Sequence, residues 1–244
     1  MIDIFLSGGC SFSETPLREA ENWPLHVERY LKIPSIHTGL ATAGNYYIYK
    51  SLMYQLSKIK DKENLLVGIM WSCADRQMFY NRRDLYLPAE KKSIDRKIAK
   101  RFDSPIKIAG EHAHYFTRPG TDYLYNTYYH KYIYDEIGSY IQTTEYVLQM
   151  QWYLKLHKIK YFMTCISGWC IPDNEQTIKH PDISYLYEQI DFSNWLNVKN
   201  MMDFNRDSGL PTVAPNNLHP STEQSKLFTE QIIIPHLKSK GYIN

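Results

Sequence analysis

The sequence predicts an α/β protein built on a doubly wound, mainly parallel β-sheet. Short apolar runs alternate along the chain with segments in which apolar residues recur at helical spacing. This alternation is typical of strand–helix–strand units, which form parallel sheets with right-handed crossovers. No internal repeat or low-complexity tract interrupts the pattern.

The chain begins with a predicted strand, a helix and a second strand. The apolar run Ile2–Leu6 is a strand candidate that ends one residue before two glycines. The segment Trp23–Leu31 has helical spacing, with Pro24 in its first turn, where proline is well tolerated. The short run Ser35–Thr38 predicts the second strand.

The later elements continue the alternation. Asn45–Ile59 predicts a helix, and the apolar run Leu65–Trp71 predicts a strand that is buried on both faces. Ile137–Leu156 predicts a long helix, followed by a strand at Tyr161–Ile166. A closing helix is predicted over Ser221–Leu237.

We expect a single α/β domain over residues 1–244 with two long insertions. A chain of 244 residues is long enough to bury a sizeable core in one domain. Clear periodicity is missing from residues 76–136 and 168–200, which both leave the carboxyl edge of the predicted sheet. Stretches of this length are usually functional insertions or lids.

Composition restricts the classes of partner. The chain has 28 basic and 26 acidic residues, so its net charge of +2 does not favour nucleic acid. Glycines follow the first strand where a signal peptide would continue its apolar segment, and no run of about 18 apolar residues occurs. These features predict a cytoplasmic protein that does not bind a membrane.

No metal or disulfide framework is predicted. The four cysteines lack Cys-x-x-Cys spacing, which argues against a zinc site and against structural disulfides. His112 and His114 would share one face of an extended segment, but the sequence offers them no third ligand.

The stretch LSGGCSFSETP, residues 6–16, places Ser11 just after the first strand. Open parallel sheets bind ligands at the carboxyl ends of their strands, so a hydroxyl at this position is a candidate nucleophile. Gly8 and Gly9 would permit a sharp turn and close approach of a substrate. The alternative is that Ser11 or Ser13 caps a helix, since serine is a favoured N-cap residue.

The stretch NNLHPSTEQSKLF, residues 216–228, contains the candidate base. His219 precedes Pro220 and Ser221, which open the predicted closing helix. A histidine held at a rigid helix entrance suits general-base catalysis. A serine after the first strand and a histidine before the last helix can meet at one edge of the sheet.

These stretches resemble conserved blocks of the SGNH, or GDSL-like, hydrolase superfamily, especially its divergent phage and bacterial members. The resemblance is carried by GCSF, GLATAGNYYI and NNLHPS, and the intervening half of the chain shows little of it. It implies a flavodoxin-like architecture with Ser11 as nucleophile and His219 as general base. It also implies an oxyanion hole formed by the backbone N–H groups of Ser11 and Gly44.

Two departures from the family pattern affect the nucleophile and the oxyanion hole. The aspartate that usually precedes the serine is Cys10, itself a candidate nucleophile, although the family pattern favours Ser11. The third block would fall on SCAD, residues 72–75, where Ala74 replaces the oxyanion asparagine. The Asn45 side chain, in the neighbouring loop, is the candidate replacement donor.

A third departure affects the base. The family aspartate lies three residues before the histidine, and that position is Asn216. The amide oxygen of Asn216 could orient His219, but it brings no charge to stabilise the imidazolium. The alternative is that Asp203 or Asp207 reaches in from the preceding loop.

The sequence also offers substrate-binding candidates at the sheet edge. Asp75 and Arg76 end the stretch WSCADR, residues 71–76, and would bind a polar substrate group or form a local ion pair. The aromatic stretch DYLYNTYYHKYIY, residues 122–134, would pack an insertion onto the domain or stack on sugar rings.

The predicted function is a serine-dependent ester hydrolase. It would remove an acyl group such as acetyl from a carbohydrate through an acyl-serine intermediate, without a cofactor. Its expected partner is a small-molecule or glycan ester. The alternative is a non-catalytic SGNH-like binding or phage-associated structural module with a degenerate site, which the Ala74 and Asn216 departures favour.

Overall fold

The structure, a computed structural model, describes residues 2–15, 20–82, 112–117 and 132–244. Its strands are β1 (Ile4–Gly8), β2 (Ser35–His37), β3 (Leu65–Trp71), β4 (Gln77–Arg82), β5 (His112–Thr117) and β6 (Lys160–Cys165). Its α-helices are α1 (Trp23–Leu31), α2 (Asn45–Lys58), α3 (Glu136–Leu156), α4 (Glu175–Ile178), α5 (Pro181–Tyr187), α6 (Met201–Asp207), α7 (Thr222–Phe228) and α8 (Ile234–Ser239). A 3-10 turn spans Phe192–Asn194 and a π-helical segment spans Thr229–Ile233.

Four of the strands form an all-parallel sheet in the order β2-β1-β3-β6, flanked by helices. The predicted α/β class with a parallel sheet is confirmed. The chain passes from β1 outward to β2 and then returns past β1 to β3. Because such crossovers are almost always right-handed, this reversal places α1 and α2 on opposite faces of the sheet. The carboxyl ends of β1 and β3 therefore meet at the switch point, where open α/β sheets bind ligands.

The core is packed around β3, whose residues are all buried. Gly68 in this strand is required by packing, because a Cβ there would lie 2.6 Å from the Phe162 ring. Phe162 in turn packs edge-on against Trp23 of α1, with ring centroids 5.7 Å apart. The absence of a side chain at Gly68 thus lets α1 approach the centre of the sheet.

Helices pack in pairs on the sheet. On one side, α1 contacts α7 and the π-helical segment, and on the other α2 contacts α3. Tyr49 of α2 stacks on Tyr146 of α3 at 5.8 Å. Asp135 caps the N-terminus of α3 by accepting a hydrogen bond from the Gly138 N–H.

The closing helix differs from its prediction. The expectation of one α-helix over Ser221–Leu237 is wrong, because α7 and α8 are separated by the π-helical segment. Pro235 lies in the first turn of α8. A proline has no N–H to donate and its ring clashes with the carbonyl four residues earlier, so the preceding turn widens into a π-bulge.

Both predicted insertions contain elements that the periodicity did not indicate. In the first, β4 and β5 form a separate antiparallel pair. In the second, α5 packs against α3, and the Leu196 N–H donates to the Met163 carbonyl (2.9 Å), which extends the parallel sheet by one bridge at Trp195. Most of the aromatic stretch 122–134 lies outside the described residues. Among the described helices, none combines the length and apolar character needed to cross a membrane.

Candidate functional site

Ser11 lies in a tight turn directly after β1. The Ser13 N–H donates to the Cys10 carbonyl (2.9 Å) and closes the turn. The buried Asn22 amide donates to the carbonyls of Ser11 and Glu14, both at 2.9 Å, and ties the turn to the start of α1. Asn22, not Ser11, occupies the N-cap position of α1, and Ser11 caps none of the helices in the described part of the chain.

His219 lies just before α7, whose start is strongly fixed. Ser221 and Gln224 form a reciprocal capping box. The Gln224 amide also donates to the Asn205 carbonyl (3.1 Å), which anchors α7 to α6. The buried Phe12 ring packs against the imidazole at a centroid distance of 5.2 Å. These contacts hold the imidazole at the carboxyl end of β1.

The two candidate side chains are in contact. His219 Nε2 lies 2.8 Å from Ser11 Oγ, and Ser11 is 7% exposed. The sequence predicted that these groups meet at the sheet edge, and this distance agrees with that geometry. A hydroxyl that can donate to a neutral imidazole nitrogen is the arrangement from which a histidine removes a proton.

The neighbour of His219 on its other side determines the tautomer. Asn217 Oδ1 lies 2.6 Å from His219 Nδ1 and accepts from the His219 backbone N–H (3.0 Å). A backbone N–H only donates, so the Asn217 atom must be the oxygen, and Nδ1 must carry the ring proton. In the neutral imidazole, Nε2 is then the unprotonated nitrogen, and it accepts from Ser11.

Asn216, the predicted orienting residue, has a different place. It is exposed and has φ +67°, and the Asn217 N–H donates to the Ala214 carbonyl (3.0 Å) across the turn. Pro215 followed by a residue with positive φ is the signature of a type II turn. Asn216 therefore shapes the turn that brings Asn217 to the imidazole. The Pro215-Asn216 pair indicates this turn in the sequence. The three-residue spacing taken from the family pattern pointed to Asn216 because it ignored the turn.

The two aspartates weighed as alternatives bind other partners. Asp203 contacts Arg206 at 2.8 Å and accepts from the Asn200 amide at 2.7 Å. Asp207 contacts the Nε of the same arginine at 3.0 Å. Because Asn217 occupies Nδ1 of His219, neither carboxylate has the orienting role.

Asn45 does not take the role of oxyanion donor. It is buried, and its amide nitrogen donates to the Ser72 carbonyl (2.9 Å) and to the Thr143 hydroxyl (3.1 Å). Its oxygen accepts from the Ser72 N–H (2.7 Å). With both amide hydrogens donated, Asn45 fixes the loop after β3 to α2 and α3.

Gly44 is the N-cap residue of α2 and needs to be glycine. A Cβ at Gly44 would lie 2.1 Å from the Arg76 carbonyl oxygen, so the loop after β3 touches the backbone here. This contact brings the loops after β2 and β3 together at the switch point. The role of the Gly44 N–H as an oxyanion donor stays a prediction.

Arg76 and Asp75 differ in their surroundings. The Arg76 guanidinium donates to Ser72 Oγ (2.9 Å). Burial disfavours its charge, but the neighbouring Cys10, Cys73 and Asp75 side chains raise its pKa above the ordinary value. Arg76 therefore braces the loop after β3, whereas Asp75 lines an open cleft beside it.

Cys10 is completely buried. Its thiol has no exposed surface from which to reach a substrate, so its role as an alternative nucleophile is not supported. Its side chain belongs to the hydrophobic core cluster.

A second serine–histidine–carboxylate arrangement lies beside the first strand. Ser7 Oγ is 2.8 Å from His37 Nδ1, and His37 Nε2 is 2.7 Å from a Glu28 carboxylate oxygen. Ser7 has no exposed surface, so an ester cannot reach its hydroxyl. This relay joins α1, β2 and β1 by hydrogen bonds, and its role is structural.

Comparisons with known proteins add no relationship to this geometry. No protein-family model matches the chain, and no curated protein shows significant similarity to it.

Proposed function

We propose that this chain is a serine-dependent carboxylic-ester hydrolase with Ser11 as nucleophile and His219 as general base. The observation that carries the proposal is the 2.8 Å hydrogen bond between Ser11 Oγ and His219 Nε2. As Ser11 Oγ attacks the ester carbonyl, Nε2 takes its proton and then gives it to the leaving alcohol. Water hydrolyses the resulting acyl-serine with the same histidine as base.

The tetrahedral intermediate requires donors for its oxyanion. In this proposal they are the backbone N–H groups of Ser11 and Gly44. Gly44 opens the 14-residue helix α2, and the N-terminus of a helix favours negative charge. These steps require no cofactor.

The acyl group in this proposal is small, for example acetyl, and the alcohol is a carbohydrate or another small molecule. The carbohydrate expectation rests on the aromatic stretch 122–134. It stays a prediction.

A second candidate function is a non-catalytic SGNH-like binding or phage-associated structural module. Three features favour it. Ala74 offers no donor side chain, the Asn45 amide is committed to the loop after β3, and Asn217 brings no charge to His219.

Turnover of p-nitrophenyl acetate and labelling by a fluorophosphonate distinguish the two candidates. We expect both in the wild type, with kcat/KM lower by at least about 10³-fold in Ser11→Ala and His219→Ala. Ser57→Ala removes an exposed hydroxyl on α2 and is the matched control, which should keep full activity. Wild-type turnover equal to that of both variants, with no labelling, would replace the hydrolase by the binding module.

A further inference from the structure

The Phe12 ring lies against the imidazole of His219. The two ring centroids are 5.2 Å apart, and the ring planes are inclined by 39°, which is closer to parallel than to perpendicular. The face of an aromatic ring carries a negative potential that attracts a cation within about 6 Å of the ring centroid. At the observed distance, the same contact that packs against a neutral imidazole can stabilise an imidazolium.

The nucleophile turn holds Phe12 in this place. On one side of it in the chain, the Asn22 amide donates to the Ser11 carbonyl (2.9 Å). On the other side, the Nε1–H of Trp23 in α1 donates to Ser13 Oγ (2.9 Å). Phe12 itself is only 4% exposed, so little water screens its contact with the histidine.

The two ring nitrogens of His219 have neutral partners. Nε2 lies 2.8 Å from Ser11 Oγ, and Nδ1 lies 2.6 Å from Asn217 Oδ1. When Nε2 takes the proton of Ser11, the imidazole becomes positive beside an amide that brings no counter-charge. In a serine–histidine–aspartate triad, a carboxylate in that position stabilises the imidazolium. The aromatic face of Phe12 is a contact that can supply part of this stabilisation.

A second histidine in the same fold shows the contrast. His37 Nε2 lies 2.7 Å from a Glu28 carboxylate oxygen, so a proton on that nitrogen has a charged partner. The aromatic neighbour of His37 is Phe5, which meets it at a steeper angle of 72° with the centroids 6.1 Å apart. His37 therefore has the carboxylate, whereas His219 has the closer and flatter aromatic contact.

We propose that the Phe12 ring stabilises the positive charge that His219 acquires from the Ser11 proton, and so replaces part of what the neutral Asn217 does not give. Phe12 is buried and touches the base, so it acts on the reaction only through His219. The catalytic consequence rests on the proposed hydrolase function, whereas the effect on the charge of His219 does not.

The test replaces Phe12 with phenylalanines that carry one, two or three fluorine atoms, introduced at that codon alone. Fluorine withdraws electron density from the ring face but changes the shape of the ring little, so the attraction weakens while the packing stays. NMR of the histidine rings gives the pKa of His219, whose signal is assigned by its loss in His219→Gln. We expect this pKa to fall stepwise, by about 0.5 to 1 pH unit with three fluorines.

The matched control carries three fluorines on Phe5, which is also buried and also contacts a histidine. In that protein the pKa of His219 should not change. The charged groups on the segments that form the site keep their places throughout the series, and they are Glu14, Asp203, Arg206, Asp207, Glu223 and Lys226. The comparison therefore isolates the electron density of the Phe12 ring.

The catalytic measurement is the pH profile of kcat for p-nitrophenyl acetate. Its acidic limb should move to lower pH together with the pKa of His219, and the limiting kcat should fall about 3- to 10-fold with three fluorines. If the pKa falls in a protein that has no turnover, the contact is supported and it is the hydrolase proposal that fails. A pKa of His219 that stays constant across the series overturns the inference, and so does an active enzyme whose kcat does not follow that pKa.

Discussion

Replacing Asn217 with aspartate tests how His219 is supported. Asn217 Oδ1 accepts from Nδ1 at 2.6 Å and from the His219 backbone N–H at 3.0 Å. An aspartate oxygen can take the same place and make the same two hydrogen bonds. The only added element is a negative charge beside the imidazolium that forms when Ser11 attacks.

The size of the effect follows from that geometry. Two unit charges about 4 Å apart attract by about 4 kcal/mol at an effective dielectric constant of about 20. His219 is only partly buried, so depending on solvent screening about 2 to 4 kcal/mol of this attraction remains. Before Ser11 attacks, the His219 imidazole is neutral and does not gain from this attraction, so the stabilisation applies only to the transition state. Since 1.36 kcal/mol corresponds to tenfold, kcat should rise roughly 30- to 1,000-fold.

The assay is kcat for p-nitrophenyl acetate at about pH 7.5, with Asn216→Asp as the control. Family spacing alone would assign the gain to Asn216→Asp, but the exposed Asn216 side chain lies on the turn and not on the imidazole. Asn216→Asp should therefore change kcat by less than about twofold. A gain in Asn216→Asp, or none in a folded Asn217→Asp, would refute this account of the site.

Two further predictions concern stability and the nucleophile turn. A Cβ at Gly39 would lie 2.2 Å from the Ser13 carbonyl oxygen, so Gly39→Ala should lower the urea unfolding free energy by about 1–3 kcal/mol and reduce ester turnover. An unchanged unfolding free energy and unchanged ester turnover would contradict this prediction, because they would show that the turn at Ser13 accommodates the added methyl group without cost. The hydrogen bond from Lys155 lowers the pKa of Asp191 from 3.8 to about 2, so its stabilisation is complete above about pH 5 and is lost as the pH falls through 2. With solvent screening, Asp191→Asn should cost at most about 1 kcal/mol at pH 7 and less at pH 3, and a pH-independent difference would contradict this linkage.

The sequence by itself determined the parallel sheet and the elements on each side of the switch point. Leu65–Trp71 is apolar throughout and is a buried strand, and Trp23–Leu31 has the helical spacing and early proline of α1. These patterns are local, because they depend only on which side chains face the core. The positions of Ser11 and His219 at element ends followed from the same patterns.

Tertiary structure alone decided which neighbours those two residues have. Asn217 reaches the imidazole because a type II turn at Pro215 and Asn216 reverses the chain. In such a turn, neighbouring side chains point in different directions, so Asn217 contacts His219 whereas Asn216 is exposed. Asn45 appeared available from sequence, but Ser72 and Thr143, distant in the chain, take both of its amide hydrogens. Hydrogen-bond partners of this kind come from contacts across the fold, and a pattern along the chain carries no record of them.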